Sequence, residues 1–297
     1  MRIFDCFMFY DEEVVLDIRL NSLKNSVDCF VIVESKYYHN GKKRDLKFDI
    51  KKYPKLKDKI IYIVQDEEPS NLEQIKISDE ESLITQKIIS NAHKRENFQR
   101  NLINKGLEKA NEDDLIMISD VDEIPNLKDL NVAKVNNKIV IFEQNIFYYK
   151  LNRYLEGFTW YGTKACKKKN LKSPQWIRNV KNKNFGFWRL DTFFSGTKYI
   201  NKIFIENGGW HFSNLKNPAD VEKKLRSYLH HRDFEVENID LKEISKSMKN
   251  NETIYDMFAD KTEKKFSENK RKLSLYPKNE LPQYVLNNES KFKEWLD

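Results

Sequence analysis

The sequence predicts an α/β protein with a mostly parallel sheet and helices on its faces. Over residues 1–125, short apolar runs of strand length alternate with stretches of helical periodicity, the pattern of β–α–β units. Charged residues make up 33% and apolar residues 39% of the chain, so a core can form and the composition is not that of a disordered protein. Two of the apolar runs end in acids, at Glu34 and at residues 120–123. Ligands of such sheets bind beyond the carboxyl ends of the strands, so these acids can share one crevice although they are far apart in sequence.

The elements follow in order. Residues 3–10 form the first strand. Asp11 then caps a helix on which Leu16, Leu20, Leu23 and Val27 recur at helical spacing. Residues 28–34 are a second strand. Residues 35–46 are polar, aromatic and basic, with a turn at Gly41, and residues 59–64 are a third strand. The polar stretch 67–90 reads as an irregular surface excursion. Residues 91–110 read as a helix with Phe98, Leu102 and Leu107 on one side and Arg95, Asn97 and Arg100 mostly elsewhere.

A fourth run, Leu115 to Ile118, ends in S-D-V-D-E-I-P. Pro125 has no N–H and restricts Ile124, which stops a regular continuation. On an extended chain Asp120 and Asp122 point to one side and Val121 to the other. The two carboxylates, with nothing basic beside them in sequence, repel each other, and a hard divalent cation such as Mg²⁺ or Mn²⁺ relieves that repulsion. The bland alternative is a solvated acidic turn.

The second part is aromatic. Strands are expected over 138–149, 158–161, 185–194 and 199–205, and four of the five Trp residues lie between Trp160 and Trp210. In E-N-G-G-W-H-F-S, residues 206–213, the adjacent glycines permit positive φ, so Trp210 and His211 are expected on a tight loop. From Pro218 the chain reads as helices. Val221, Leu225 and Leu229 recur at spacing four, and His230 and His231 close that helix. The stretch that follows, Lys-, Glu- and Asn-rich, holds short apolar contacts at Leu281, Tyr284, Val285 and Trp295. With no repeat and no flexible linker, no separately folding C-terminal domain is expected.

The chain has 297 residues and a formal net charge of +7, which favours anionic partners. No RRM, zinc-finger or helix–turn–helix signature accompanies the charge, so nucleic acid is not the expected partner. Cys6, Cys29 and Cys166 are widely spaced and show no metal-binding or disulfide pattern. No signal peptide or membrane-spanning run is read, so a soluble, cytoplasmic protein is expected. The basic C-terminal helices offer a peripheral contact to a membrane.

An acidic pair at a strand end, a basic helix and a distant His suggest a metal–diphosphate site. Asp122 would hold the metal, His211 would complete its coordination, and Arg95 and Arg100 would pair with phosphates. Trp210 is the candidate for stacking on a sugar face. The plain alternatives are a core histidine, a solvated helix face and an aromatic of the core.

Several stretches together resemble glycosyltransferase family 17: D-C-F-M-F-Y-D-E-E, F-V-I-V-E-S, R-E-N-F-Q-R-N, S-D-V-D-E-I-P, G-G-W-H-F-S and L-P-Q-Y-V. They span nearly the whole chain. The best-known animal members of that family add a bisecting N-acetylglucosamine in β1,4 linkage to N-glycans. The resemblance implies a GT-A type fold with a helical C-terminal extension. Residues 1–215 would be the core, with 1–125 the nucleotide-binding half and 126–215 the acceptor half, and 216–297 the extension. It further implies a nucleotide-sugar donor, UDP-N-acetylglucosamine, with Mn²⁺ or Mg²⁺. Asp120 would contact the donor ribose or sugar, Asp122 and His211 the metal, Glu34 the base and Arg100 the phosphates. The family's linkage implies inversion, which needs a carboxylate base. Glu206 is the first choice, and Asp191 and Glu123 are alternatives. A nucleotidyltransferase would carry a Gly-rich N-terminal loop, yet no glycine precedes Gly41. A non-catalytic glycan-binding protein on the same scaffold is the other competing reading.

Overall fold

The computed structural model describes residues 1–128, 130, 135, 138–186, 188–192, 194–198, 201–227, 240–258 and 270–297. The elements of the first part are β1 (Ile3–Phe9), α1 (Glu13–Leu23), β2 (Cys29–Ser35), β3 (Ile60–Gln65), α2 (Glu81–Asn101), α3 (Ile103–Gly106), β4 (Leu115–Asp120) and β5 (Glu123–Pro125). Next come β6 (Ile139–Tyr148), β7 (Arg153–Lys167), α4 (Pro174–Asn179), β8 (Lys202–Ile205), β9 (Gly209–Ser213) and α5 (Pro218–Ser227). Last are α6 (Leu241–Asn250), β10 (Ser274–Leu275) and α7 (Gln283–Leu286).

Among the described residues the strands form one ten-stranded sheet in the order β3-β2-β1-β4-β7-β6-β9-β5, with β10 on β7 and β8 on β6. The first four pair in parallel, as the alternation requires. From β7 onward the sheet is mixed: β7 runs antiparallel to β4 and β6, and β9 lies parallel to β6 and antiparallel to β5. The result is a mixed α/β fold with a mostly parallel first half flanked by helices.

Alternation along β1 builds two layers of core. Phe7 and Phe9 join Leu16, Leu20 and Leu23 of α1 on one face. Phe4 and Cys6 join Ile103, Leu107 and Ile177 on the other. Gly106 lets α3 press against β2, since a Cβ there would lie 2.4 Å from Val31. Leu281, Val285 and Phe292 near the C-terminus complete the α1 face. Helices α5 and α6 cover a third cluster on β6 and β7 through Val221 and Ile244. Among the described residues no helix is long and apolar enough to cross a membrane.

Several expectations are corrected. The helix before β4 starts at Glu81, ten residues before the expected start at residue 91, because Leu83, Ile84 and Ile88 extend the helical spacing through a stretch dominated by charge. It then breaks at Leu102 into α3. Of the expected strand 185–194, the described residues form only a short 3₁₀ turn, Leu190–Thr192, with Leu190 and Phe194 71% and 92% exposed rather than packed in a core. The expected strand at 158–161 is part of a much longer one, Arg153–Lys167. Trp210 and His211 lie on a strand and not on a loop, because β9 is clamped between β5 and β6. The tight turn comes just before, at Asn207 with φ 49. Gly209 (φ +128) sits so close to β5 that a Cβ would lie 2.1 Å from the Ile124 carbonyl oxygen. Leu229, His230 and His231 lie outside the described residues.

Candidate active site

The S-D-V-D-E stretch leaves the sheet at the carboxyl end of β4 and turns at Val121 and Asp122 before β5 begins. One side chain fixes that turn. Arg19, on the inner face of α1 and fully buried, donates through Nη1 to the carbonyl oxygens of Asp120, Val121 and Glu123 at 3.0, 3.1 and 2.9 Å. Its other nitrogens hold both oxygens of Asp5 on β1, at 2.8 and 2.6 Å, and the Ser119 hydroxyl. A guanidinium with all its donors engaged offsets much of its own desolvation. The sequence carried a signal for it: Arg19 is the one charged residue within the apolar face formed by Leu16, Leu20 and Leu23.

The turn sends its two aspartates to different partners. Asp120 accepts from Arg100 (3.1 Å) and from Arg178 of α4 (3.2 Å). Burial raises the Asp120 carboxyl, but the charges of Arg178 and Arg100 outweigh it and hold the group below its usual range. Asp122 instead faces His211 Nε2 at 3.5 Å and Lys224 Nζ of α5 at 3.6 Å. Burial again works against its charge, and His211 and Lys224 overcome it, leaving the carboxyl well below the usual range. The acids are therefore not without basic neighbours; the cations come from helices distant in sequence.

Two cavities flank the turn. The first, about 180 Å³, is lined by Asp120, Asp122, His211, Lys224 and Glu12 together with aromatic rings, among them Tyr10, Tyr37, Tyr38 and Trp160. Trp160 packs on His211 with ring centres 4.6 Å apart. The second, about 430 Å³, lies between α2 and α4 and is lined only by polar side chains, including Glu96, Arg100, Asp120, Gln175 and Arg178. Asp120 and Glu96 line both.

Asp120, Asp122 and His211 are thus brought together, and Arg100 stands behind Asp120. The other candidates are not at the cavities. Glu34 is fully buried and already occupied: it accepts from Arg44 (2.8 Å), from the Lys47 and Phe48 amides (2.7 and 3.0 Å) and from the Tyr62 hydroxyl (2.8 Å). It folds the loop after β2, and that loop presents Tyr37, Tyr38 and His39 to the first cavity. Arg95 is bound to Glu68 at 2.5 Å and to the His39 carbonyl oxygen at 3.3 Å. Trp210 and His211 are consecutive on β9 and so face opposite sides; Trp210 packs on the core and donates to the Glu280 carbonyl oxygen at 3.1 Å. Trp160 is the tryptophan of the cavity, reached only through the pairing of β7 with β6.

The expected bases also lie elsewhere. Glu206 is exposed, in the turn before β9. Asp191 is exposed and paired with Arg189 and Lys198 at 2.7 and 2.5 Å. Glu123 is sealed: one oxygen accepts from Trp160 and Arg178 (2.8 and 2.9 Å), the other from the Asp120 amide and Arg178 (2.9 and 2.7 Å).

The donor set suits a divalent cation only in part. Among the described residues no three His, Cys, Asp or Glu side chains converge as a ligand group. Asp122 and His211 supply two ligands, and His211 Nδ1 is buried with no hydrogen-bond partner. Discounting Asp120 and Glu96, which Arg100 and Arg178 balance, the first cavity sets Glu12 and Asp122 against Lys224 alone. That net negative lining repels a diphosphate unless a cation accompanies it. Mg²⁺ and Mn²⁺ bind through one or two protein ligands plus substrate phosphates, so these residues fit a metal shared with a phosphate-bearing ligand. No curated protein matches the chain. The model of Glycosyltransferase family 17 matches residues 1–297, the whole length, and the chain belongs to that family, whose members transfer a glycosyl group from a sugar donor to an acceptor.

Proposed function

We propose that the first cavity binds a nucleotide sugar, UDP-N-acetylglucosamine, with Mn²⁺ or Mg²⁺, and that the enzyme moves the sugar to a glycan hydroxyl with inversion. The observation that carries this reading is the meeting of Asp122, His211 and Lys224 in an aromatic-lined cavity at the carboxyl ends of β1 and β4, where open α/β sheets bind ligands.

The roles follow from position. Asp122 and His211 hold the cation. When bound, that cation neutralises the charge building on the leaving diphosphate. Lys224 is free to turn from Asp122 and Glu12 toward the same phosphates, adding a positive group where charge develops. Asp120, fixed by Arg100 and Arg178, accepts hydrogen bonds from donor hydroxyls. Tyr37 and Tyr38 flank the base, and Trp160 packs on an apolar face of the ligand. On this reading the fold is of GT-A type, with residues 1–125 as the nucleotide-binding half, 126–215 as the acceptor half and 216–297 as a helical extension.

Thermal unfolding tests it. A ligand at about 100 times its Kd adds about 2.7 kcal/mol to stability. UDP-N-acetylglucosamine and Mn²⁺ together should raise the melting temperature by several degrees, and either alone by much less. Asp122→Asn should remain folded and lose the joint effect. If UDP-, GDP- and CMP-sugars all leave the melting temperature unchanged in Mn²⁺, the reading fails.

A further inference from the structure

Of the side chains that line the polar cavity between α2 and α4, the donor reading uses only Asp120, and Glu96 stands with it at the junction with the first cavity. Its volume is about 430 Å³. In its lining His93, Asn97, Gln175 and Asn179 add imidazole and amide groups to the charged ones. Planar side chains with paired donors and acceptors suit the dense hydroxyls of a sugar.

Charge gives an anionic ligand no anchor. Arg100 and Arg178 are the guanidinium groups of the wall, and three carboxylates hold them: Glu96, Asp120 and Glu123. Of these carboxylates Glu96 and Asp120 line the cavity and balance the two guanidinium charges, while the buried Glu123 takes up a further contact of Arg178. The wall therefore presents no uncompensated positive charge to a phosphate or carboxylate, while its donors and acceptors suit a neutral polyol.

Glu96 is placed and poised. Arg100 Nη2 bridges Glu96 Oε1 at 2.7 Å and Asp120 Oδ1 at 3.1 Å, so the two carboxylates shared by both cavities are locked side by side. The remaining oxygen of Glu96, Oε2, accepts no hydrogen bond from a described residue and stands 4.0 Å from Nδ1 of the half-exposed His93. It is the carboxylate that a hydroxyl arriving from the second cavity meets next to Asp120.

We propose that this cavity takes a neutral sugar ring of the acceptor and that Glu96 is the base of the transfer, an inference that rests on the transferase reading above. The acceptor hydroxyl oxygen forms the new bond to the anomeric carbon. The bond from that carbon to the diphosphate oxygen breaks, and its electron pair leaves with the diphosphate. The hydroxyl proton passes to Glu96 Oε2, and His93 offers a way out to solvent.

The test uses the full chain with Mn²⁺ and UDP-N-acetylglucosamine. Donor affinity is read by calorimetry and release of UDP to water by a coupled assay. Binding of neutral methyl glycosides is read by saturation-transfer NMR. Glu96→Gln should keep donor affinity within threefold and lose at least 100-fold in UDP release, the scale of general-base catalysis. Glu96→Asp, which keeps a carboxylate one methylene back, should fall between. Asn179→Ala should weaken glycoside binding and leave donor affinity unchanged. UDP release by Glu96→Gln within tenfold of the parent overturns the assignment of the base. A parent enzyme that binds donor but no neutral glycoside, or that favours a phosphorylated one, overturns the assignment of the cavity. Failure of the parent to bind any nucleotide sugar overturns the transferase reading itself, and the inference with it.

Discussion

On the α2–α4 side of the acidic turn, Asp120 and Glu123 share three partly buried carboxylate-to-guanidinium contacts with Arg178 at 2.7–3.2 Å, and Arg100 adds another. On the α5–β9 side, Asp122 meets a histidine and an ammonium at 3.5 and 3.6 Å, beyond good hydrogen-bond length. On one side short contacts to Arg178 and Arg100 tie the carboxylates into a network whose members hold each other in place. The other is a set of charges held near one another with partners to spare. Short, well-directed contacts fix shape, and long ones leave a group able to take up a ligand. Substitutions on the two sides should therefore fail in different ways.

Both sides hang from Arg19, so the largest effect is expected there. Arg19→Met leaves Asp5 buried with no countercharge and frees three carbonyl groups of the turn. Removing one partner of a buried pair costs about 3–5 kcal/mol. Urea unfolding should show a loss of that size, with donor binding lost as well. A loss below about 1 kcal/mol would mean that the turn is held by the sheet alone.

The next two variants separate the sides. Arg178→Met strands Glu123, which is fully buried, and should cost about 2–4 kcal/mol, somewhat less than a fully enclosed pair because the Arg178 side chain is 13% exposed. Asp122→Asn keeps its size and loses only contacts of 3.5 and 3.6 Å, and Lys224 keeps Glu12 as a countercharge, so it should cost less than Arg178→Met, about 1–2 kcal/mol, while metal-dependent donor binding disappears. Equal stability losses for the two would erase the distinction between a structural and a binding aspartate.

What the sequence disclosed follows the same division. The parallel half was legible because each of its strands is a contiguous apolar run and each helix lies between strands it covers. The acidic stretch was legible as a site because Ser119, Asp120, Asp122 and Glu123 break an apolar run together. Its cations were not legible. Arg178 and Lys224 lie 58 and 102 residues from their aspartates, and only strand order and helix packing bring them back. Glu206 and Trp210 looked eligible by closeness to His211 in sequence, but alternation along β9 and the turn before it set neighbours on different sides. Glu96 lies in sequence beside Arg95 and near Arg100, whose charges point to phosphate and give no sign of a base. Its place in a cavity wall depends on α4, which completes that wall from the other half of the chain.

The smallest effect tests whether the α2–α4 side is rigid down to its base. Lys164 on β7 is 3% exposed and donates to the carbonyl oxygens of Arg178 and Val180, which ties the end of α4 to the sheet. Burial, with the charge of Arg178 adding to it, pulls its ammonium down to about 7, against about 10.4 for an unfolded lysine. Below pH 7 both states carry the proton, and this residue adds no slope. Between about pH 7 and 10 the unfolded chain binds more protons than the folded one, so stability should rise with pH by up to about 1.4 kcal/mol per unit. Lys164→Met has no proton to lose. The stability difference, parent minus variant, should therefore climb between pH 7 and 9.5 and stay level between pH 5.5 and 6.5. A difference that is flat through the upper range would mean that Lys164 keeps its charge. It would then be solvated in solution, and the floor beneath Arg178 would be looser than the network above it.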